Sequence, residues 1–128
     1  ELYKWRFGDT VPTIQTNFET AELIKYMNNC FFATKVSFLN EMKLLSDKIG
    51  ADWATSIQGF VSDGRIGHSH IQVPGPDGER GFGGKCLPKD IRAFSTVYSS
   101  DLLDSIINYN DSLREDLGNF LSNYRNAK

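Results

Sequence analysis

Cysteine is scarce in this chain: two residues, Cys30 and Cys86, among 128. Two thiols cannot build the disulfide lattice of a small secreted domain. Cys30 also falls inside a helical pattern rich in Phe and Leu, so two free thiols in a reducing, cytoplasmic setting are expected. No apolar run approaches the ~20 residues of a membrane span. Neither sign of charge dominates: 14 basic and 16 acidic residues are interspersed, for a net charge of −2, and no basic stripe offers itself to nucleic acid. There is no internal repeat, no low-complexity tract and no visible signal peptide. The chain opens Glu-Leu-Tyr-Lys-Trp-Arg, amphipathic and without an initiator Met, which reads as the tail of an element begun earlier and so as part of a longer protein. What is present is an ordinary soluble mix, 40% hydrophobic and 23% charged, long enough for one domain and hardly for two.

The strongest periodic signal runs from about Thr20. Leu23, Ile24, Met27, Phe31, Val36, Phe38, Leu39, Met42, Leu45 and Ile49 recur mostly at spacings of three and four, which predicts one long helix over residues 20–49. Asn17 or Thr20 suits its N-cap, Glu19 and Glu22 suit the positive end of its dipole, and Gly50 suits its stop. Such a helix is ~45 Å long, more than a small domain covers, so a second surface for its apolar residues is expected. A short helix follows over residues 52–61, capped by Asp52, with Trp53, Ile57 and Phe60 on one face. Residues 62–85 lose every period and hold seven of the eleven glycines together with Pro74 and Pro76. A loop of that length is usually functional or disordered. Pro88 suits the first turn of a third helix over residues 89–99. Asp101 suits the cap of a fourth, through Leu103, Ile106, Ile107, Leu113, Leu117, Phe120 and Tyr124.

Two nucleotide motifs are excluded at Gly81-Phe-Gly-Gly-Lys-Cys86. The third glycine of a dinucleotide fingerprint would fall on Cys86, and no strand precedes it. A P-loop would need Ser or Thr after Lys85 and a glycine at Glu79. What remains is a cysteine entering a helix between Lys85 and Lys89. Helix N-terminal amides and neighbouring cations stabilise a thiolate; a buried thiol at a tight turn is the plainer alternative. Asp90, one turn on, can face the thiol and orient a water. Lys25 and Asn29 are four apart on one helical face, either a solvated edge or a polar pair with a purpose. His68 and His70 lack a third metal ligand at convincing spacing, and no metal is expected.

The order of these pieces carries a resemblance. Ala21-Glu-Leu-Ile-Lys-Tyr-Met-Asn-Asn29 with Cys30-Phe-Phe-Ala-Thr-Lys-Val-Ser-Phe-Leu-Asn-Glu41, then Asp63-Gly-Arg-Ile-Gly67, then Gly81-Phe-Gly-Gly-Lys-Cys-Leu-Pro-Lys-Asp90 resemble the central helix, the Arg-Ile-Gly turn and the active-site signature of the UDP-glucose/GDP-mannose dehydrogenases. The likeness covers about Leu2 to Phe94. It implies an all-α central domain of the type found in the C-terminal part of 6-phosphogluconate dehydrogenases. It also implies a homodimer formed through the long helix, an NAD-binding domain before it and a nucleotide-binding domain after it. On that footing residues 1–19 are a connector from the NAD-binding domain, residues 20–100 the dimerisation and catalytic domain, and residues 101–128 a helix leading toward the C-terminal domain.

The resemblance also implies roles. Cys86 resembles the nucleophile, Lys25 and Asn29 the polar pair at the reacting carbon, and Asp90 the acidic partner. Arg65 resembles the arginine that reaches the neighbouring subunit's substrate. Phe82, Gly83, Gly84 and Lys89 belong to the substrate-lining turn. The family oxidises a sugar C6 alcohol to a carboxylate with NAD, through a thiohemiacetal and a thioester. NAD is expected in the parent enzyme and not on this chain, whose isolated form is expected to be inactive. One departure is plain: residues 68–80 are longer and more polar than the family's usual stretch. Two other readings stay open, a helical dimerisation module without retained chemistry and, on Cys86 alone, a thiol redox domain.

Overall fold

The computed structural model describes residues 2–114, and within them every regular element is a helix: α1 (Leu2–Phe7), α2 (Phe18–Ile49), α3 (Trp53–Ser62), α4 (Cys86–Tyr98) and α5 (Asp101–Leu113). The domain is all-α. The expected continuation of the last helix through Leu117, Phe120 and Tyr124 lies outside the described residues.

α2 is the axis. Its N-cap is Asn17, whose side chain accepts from the Thr20 amide, and it stops at Gly50, which adopts φ 74° and closes the last turn onto the Ser46 carbonyl. A left-handed residue at that position is natural for glycine. α4 and α5 pack on α2 and on each other, while α3 touches α2 alone among the helices. The core is where those three meet: Cys30, Ala33 and Val36 from α2, Phe82 from the loop, Ile91 from α4, and Leu103, Ile106 and Ile107 from α5. Tyr109 also donates to Glu41 across the α5–α2 seam. Burial and that carboxylate push its phenol up to about 12, so it remains the donor throughout the neutral range.

Two helix starts differ from the sequence expectation. α4 begins at Cys86 and not at Lys89, which puts Pro88 third in the helix. Proline fits anywhere in a first turn, because the amides there have no intrahelical acceptor to lose. α5 is capped by Ser100, whose hydroxyl accepts from the Leu103 amide, and Asp101 is its first residue. There it faces the positive end of the dipole.

α2 has two apolar faces. Opposite the side that carries Cys30, Ala33 and Val36, a stripe of Ile24, Met27, Phe31, Phe38, Leu45 and Ile49 is exposed. These residues are three, four or seven apart and so share one face of the helix. Within the described chain these residues keep between 39% and 68% of their surface exposed.

Candidate active site

Cys86 is the first residue of α4 and is exposed. One turn on, Asp90 is 2% exposed. Its burial is made possible by α2: the Asn29 amide donates to Asp90 Oδ2 at 2.6 Å, and Lys89 Nζ lies 3.5 Å from Oδ1. A buried carboxylate left without such partners would cost several kcal/mol. Asn29 and Asp90, 61 residues apart, thus tie α2 to α4 one turn beyond Cys86. Lys25 stands one helical turn before Asn29, exposed, with Nζ 5.6 Å from the centre of the Tyr26 ring. Among the described residues its charge has no carboxylate partner.

The other thiol differs sharply. Cys30 is buried in the core, and burial, with the Asp90 charge adding to it, raises its pKa. It therefore stays protonated at neutral and mildly alkaline pH, whereas Cys86 is open to reagent. At pH 8, iodoacetamide is expected to label Cys86 at least ~10-fold faster than Cys30, since the attacking species is an accessible thiolate. Peptide mapping by mass spectrometry reads the ratio; equal labelling would mean that the core around Cys30 opens readily.

The loop before Cys86 is fastened at several points although it has no regular structure. Lys35 Nζ donates to the Gly67 carbonyl at 2.7 Å, and His70, at φ 60°, stacks on Phe32 with ring centres 4.1 Å apart. His68 is exposed, and no cluster of three metal-ligating side chains occurs among the described residues. Phe82, Gly83 and Gly84 line a cleft of about 260 Å³ together with His70, Gln72 and Leu87. Sequence reasoning had not singled out the two side chains that hold this turn. Asn40 Oδ1 accepts from the Gly81 amide at 3.1 Å. Asn110 accepts from the Phe82 amide at 2.7 Å and donates to the Phe82 carbonyl at 3.0 Å. Both are buried amides at core-facing helical positions, and an isolated Asn in an apolar stripe is the signal that could have found them.

Arg65 is not gathered to this site within the chain. Its side chain is 88% exposed and pairs with Asp63 at 2.6 Å, which holds the Asp63 carboxyl below its ordinary range. It lines a different cleft, with Phe31, Phe32, Phe38 and Phe60, on the side of the exposed α2 stripe. The structure therefore joins Asn29, Lys89 and Asp90 in one cluster a turn beyond Cys86 in α4, places Lys25 one turn before Asn29 on α2, and leaves Arg65 apart.

The helices, the exposed cysteine at a helix start and the glycine turn together define a class. The model of the UDP-glucose/GDP-mannose dehydrogenase family, central domain, matches residues 19–112, and the chain belongs to that family. It is 47% identical over 92 residues to a UDP-glucose 6-dehydrogenase of Rickettsia bellii (strain RML369-C), covering 72% of this chain and 20% of that protein. Over 108 residues it is 38% identical to the UDP-glucose 6-dehydrogenase TuaD of Bacillus subtilis (strain 168), covering 80% and 22%. With a UDP-glucose 6-dehydrogenase of Rhizobium meliloti (strain 1021) it shares 35% identity over 123 residues, 92% of this chain and 27% of that one. The chain thus spans about a quarter or less of the length of these relatives. No helix among the described residues is long and apolar enough to cross a membrane.

Proposed function

We propose that this chain is the catalytic and dimer-forming centre of an NAD-dependent nucleotide-sugar 6-dehydrogenase, acting in the cytoplasm on UDP-glucose, GDP-mannose or a close analogue. What supports this reading is the Asn29–Asp90 hydrogen bond, which joins a polar turn of α2 to α4 one turn beyond an exposed cysteine at the helix start. In this reading residues 1–19 connect from an NAD-binding domain, residues 20–100 hold the chemistry and the dimer interface, and residues 101–128 lead toward the domain that grips the nucleotide. No residue here is assigned to NAD, because the glycine turn is no dinucleotide fingerprint. When bound by its own domain, NAD supplies hydride acceptance.

The chain's residues account for the rest. After the first oxidation the substrate carries a C6 aldehyde, which must gain a nucleophile before it can release a second hydride. The Cys86 sulfur adds to that carbon, and the carbonyl oxygen takes the displaced electron pair. Lys25 and Asn29 stabilise the oxyanion. Loss of hydride leaves a thioester on Cys86. A water directed by Asp90 adds to it, the C–S bond breaks, and the carboxylate leaves with Cys86 restored. Phe82, Gly83, Gly84 and Lys89 line the sugar nucleotide, and Arg65 reaches the site of a second copy.

The dimer rests on a separate observation, the exposed stripe on α2, which favours pairing of two copies whether or not the chemistry is retained. The test of activity has two arms. The full-length protein is expected to reduce two NAD per sugar nucleotide and yield the uronic acid, while the 128-residue chain alone turns over nothing and gives no calorimetric heat with NAD. A full-length protein inert toward both UDP-glucose and GDP-mannose would leave only the dimerisation reading. Micromolar NAD affinity of the chain alone would refute the domain assignment.

A further inference from the structure

We propose that α5, through Asn110 and Arg114, is the positioning element of the turn that carries Cys86, so that it governs the second oxidation without touching the reacting atoms. The inference rests on the functional reading above and extends it to residues that no motif assigns.

The geometry is that of a two-sided grip. Asn110 takes both polar atoms of the Phe82 residue, amide and carbonyl, in a paired hydrogen bond. It is 4% exposed and Phe82 5%, so neither bond competes with water and each is strong. One helical turn further, Arg114 spans the turn's other side. Its Nη2 meets Asp77 Oδ2 at 2.7 Å and its Nη1 the Arg80 carbonyl at 3.3 Å. That pairing holds the Asp77 carboxyl below its ordinary range. On the side facing Asn110 and Arg114 little space is left. A Cβ on Gly83 would overlap the Arg114 guanidinium and lie 2.8 Å from Asp77 Oδ2, and one on Gly81 would overlap the Asn110 carbonyl oxygen. Gly81, at φ 75°, is strained for any other residue, and a side chain at Gly83 would push the Arg114 guanidinium aside.

The consequence for chemistry follows from chain connectivity. Lys85 alone separates Gly84 from Cys86, and α4 begins at Cys86 with no side-chain cap from Lys85. The start of α4 is therefore held from two sides, by the Asn29–Asp90 bond to α2 and by the turn, which α5 and its C-cap Arg114 fasten together with Asn40 of α2. Loosening that grip shifts the sulfur relative to the C6 carbon. The first oxidation needs no sulfur and is little changed, but capture of the aldehyde slows, and the aldehyde escapes into water.

The test uses the full-length enzyme with Asn110→Ala and, as a milder variant at the end of the helix, Arg114→Ala. Aldehyde released during turnover is trapped with hydroxylamine and counted against uronic acid. Both variants are expected to release aldehyde and to lose uronic acid formation by roughly 10- to 100-fold, the order that a displacement of ~1 Å costs. At saturating sugar nucleotide the initial rate of the first hydride transfer should stay within about threefold, weaker binding at the loosened turn appearing in KM, and Arg114→Lys, which keeps the charge toward Asp77, should recover part of the loss. A merely structural role would lower both oxidations together and release no aldehyde. If Asn110→Ala does not fold, Arg114→Ala decides alone. An active wild type whose variants release no aldehyde overturns this proposal only; a wild type that oxidises no sugar nucleotide overturns the functional reading and this proposal with it.

Discussion

Cys86→Ser in the full-length enzyme is expected to cut uronic acid formation by ~10³-fold or more, the order seen when a covalent nucleophile is removed, while sugar-nucleotide binding is nearly unchanged. The first oxidation removes a hydride from an alcohol and asks nothing of the sulfur. The second cannot begin until the aldehyde carbon becomes tetrahedral. A serine hydroxyl is far less ionised than a thiol near neutral pH, and an ester made with it hydrolyses less readily than a thioester. The variant should therefore stall at an aldehyde-level species or a slowly released ester, visible by intact-mass spectrometry and product analysis. Lys25→Ala should differ in kind, slowing turnover by about 3 to 4 kcal/mol in activation free energy if its ammonium acts as other oxyanion donors do, with no adduct retained. Full conversion at the wild-type rate by Cys86→Ser would make Cys86 a structural thiol.

Phe31→Asp combined with Phe38→Asp is expected to turn a dimer into a monomer. Phe31 is 63% and Phe38 50% exposed in the single chain, so each retains only part of its apolar surface for an interface. Covering that remainder contributes about 1 kcal/mol per side chain. A two-fold interface uses each residue twice, so four rings give roughly 4 kcal/mol, or ~10³-fold in the dimer dissociation constant. The like charges brought together by aspartate weaken it further. Sedimentation equilibrium at micromolar concentration reads this directly. Because both side chains point away from the core, the helical circular dichroism should be unchanged; a wild-type chain that sediments as a monomer would remove the dimer from the functional reading.

Much of the architecture was legible because helices announce themselves locally. The three-and-four spacing from Leu23 to Ile49, the Asn17 cap and the Gly50 stop are all properties of neighbouring residues, and α2 follows them closely. Boundaries shifted where two local rules competed. Ser100 and Asp101 both suit an N-cap, and the serine hydroxyl reaches the Leu103 amide. Pro88 suits any position of a first turn, so it could not mark the start of α4. Within the site, Cys86, Lys89 and Asp90 share one short motif and could be read together. The Asn29–Asp90 bond spans 61 residues and no periodicity encodes it. The grip of Asn40 and Asn110 on the glycine turn was hidden more deeply. Their partners are backbone atoms, which look alike in every sequence, and only the tertiary fold reveals which amide each one meets.

The excursion at residues 75–79 has a bearing on how this fold can vary. The Gly75 amide bonds to the Glu79 carbonyl at 2.8 Å and the Gly78 amide to the Gly75 carbonyl at 2.9 Å, so the segment leaves and rejoins the loop at nearly one point. To the rest of the domain it is a closed ring, held at its base and by the Asp77–Arg114 pair. Lengthening a ring costs only (3/2)RT times the logarithm of the length ratio, ~0.6 kcal/mol for a doubling, and none of that cost is felt at the base. Residues inserted between Gly78 and Glu79 lengthen the ring at the expense of the Glu79 amide–Asp77 bond and leave the Asp77–Arg114 pair in place. A small reporter peptide inserted at that tip should be accepted without repositioning the cysteine.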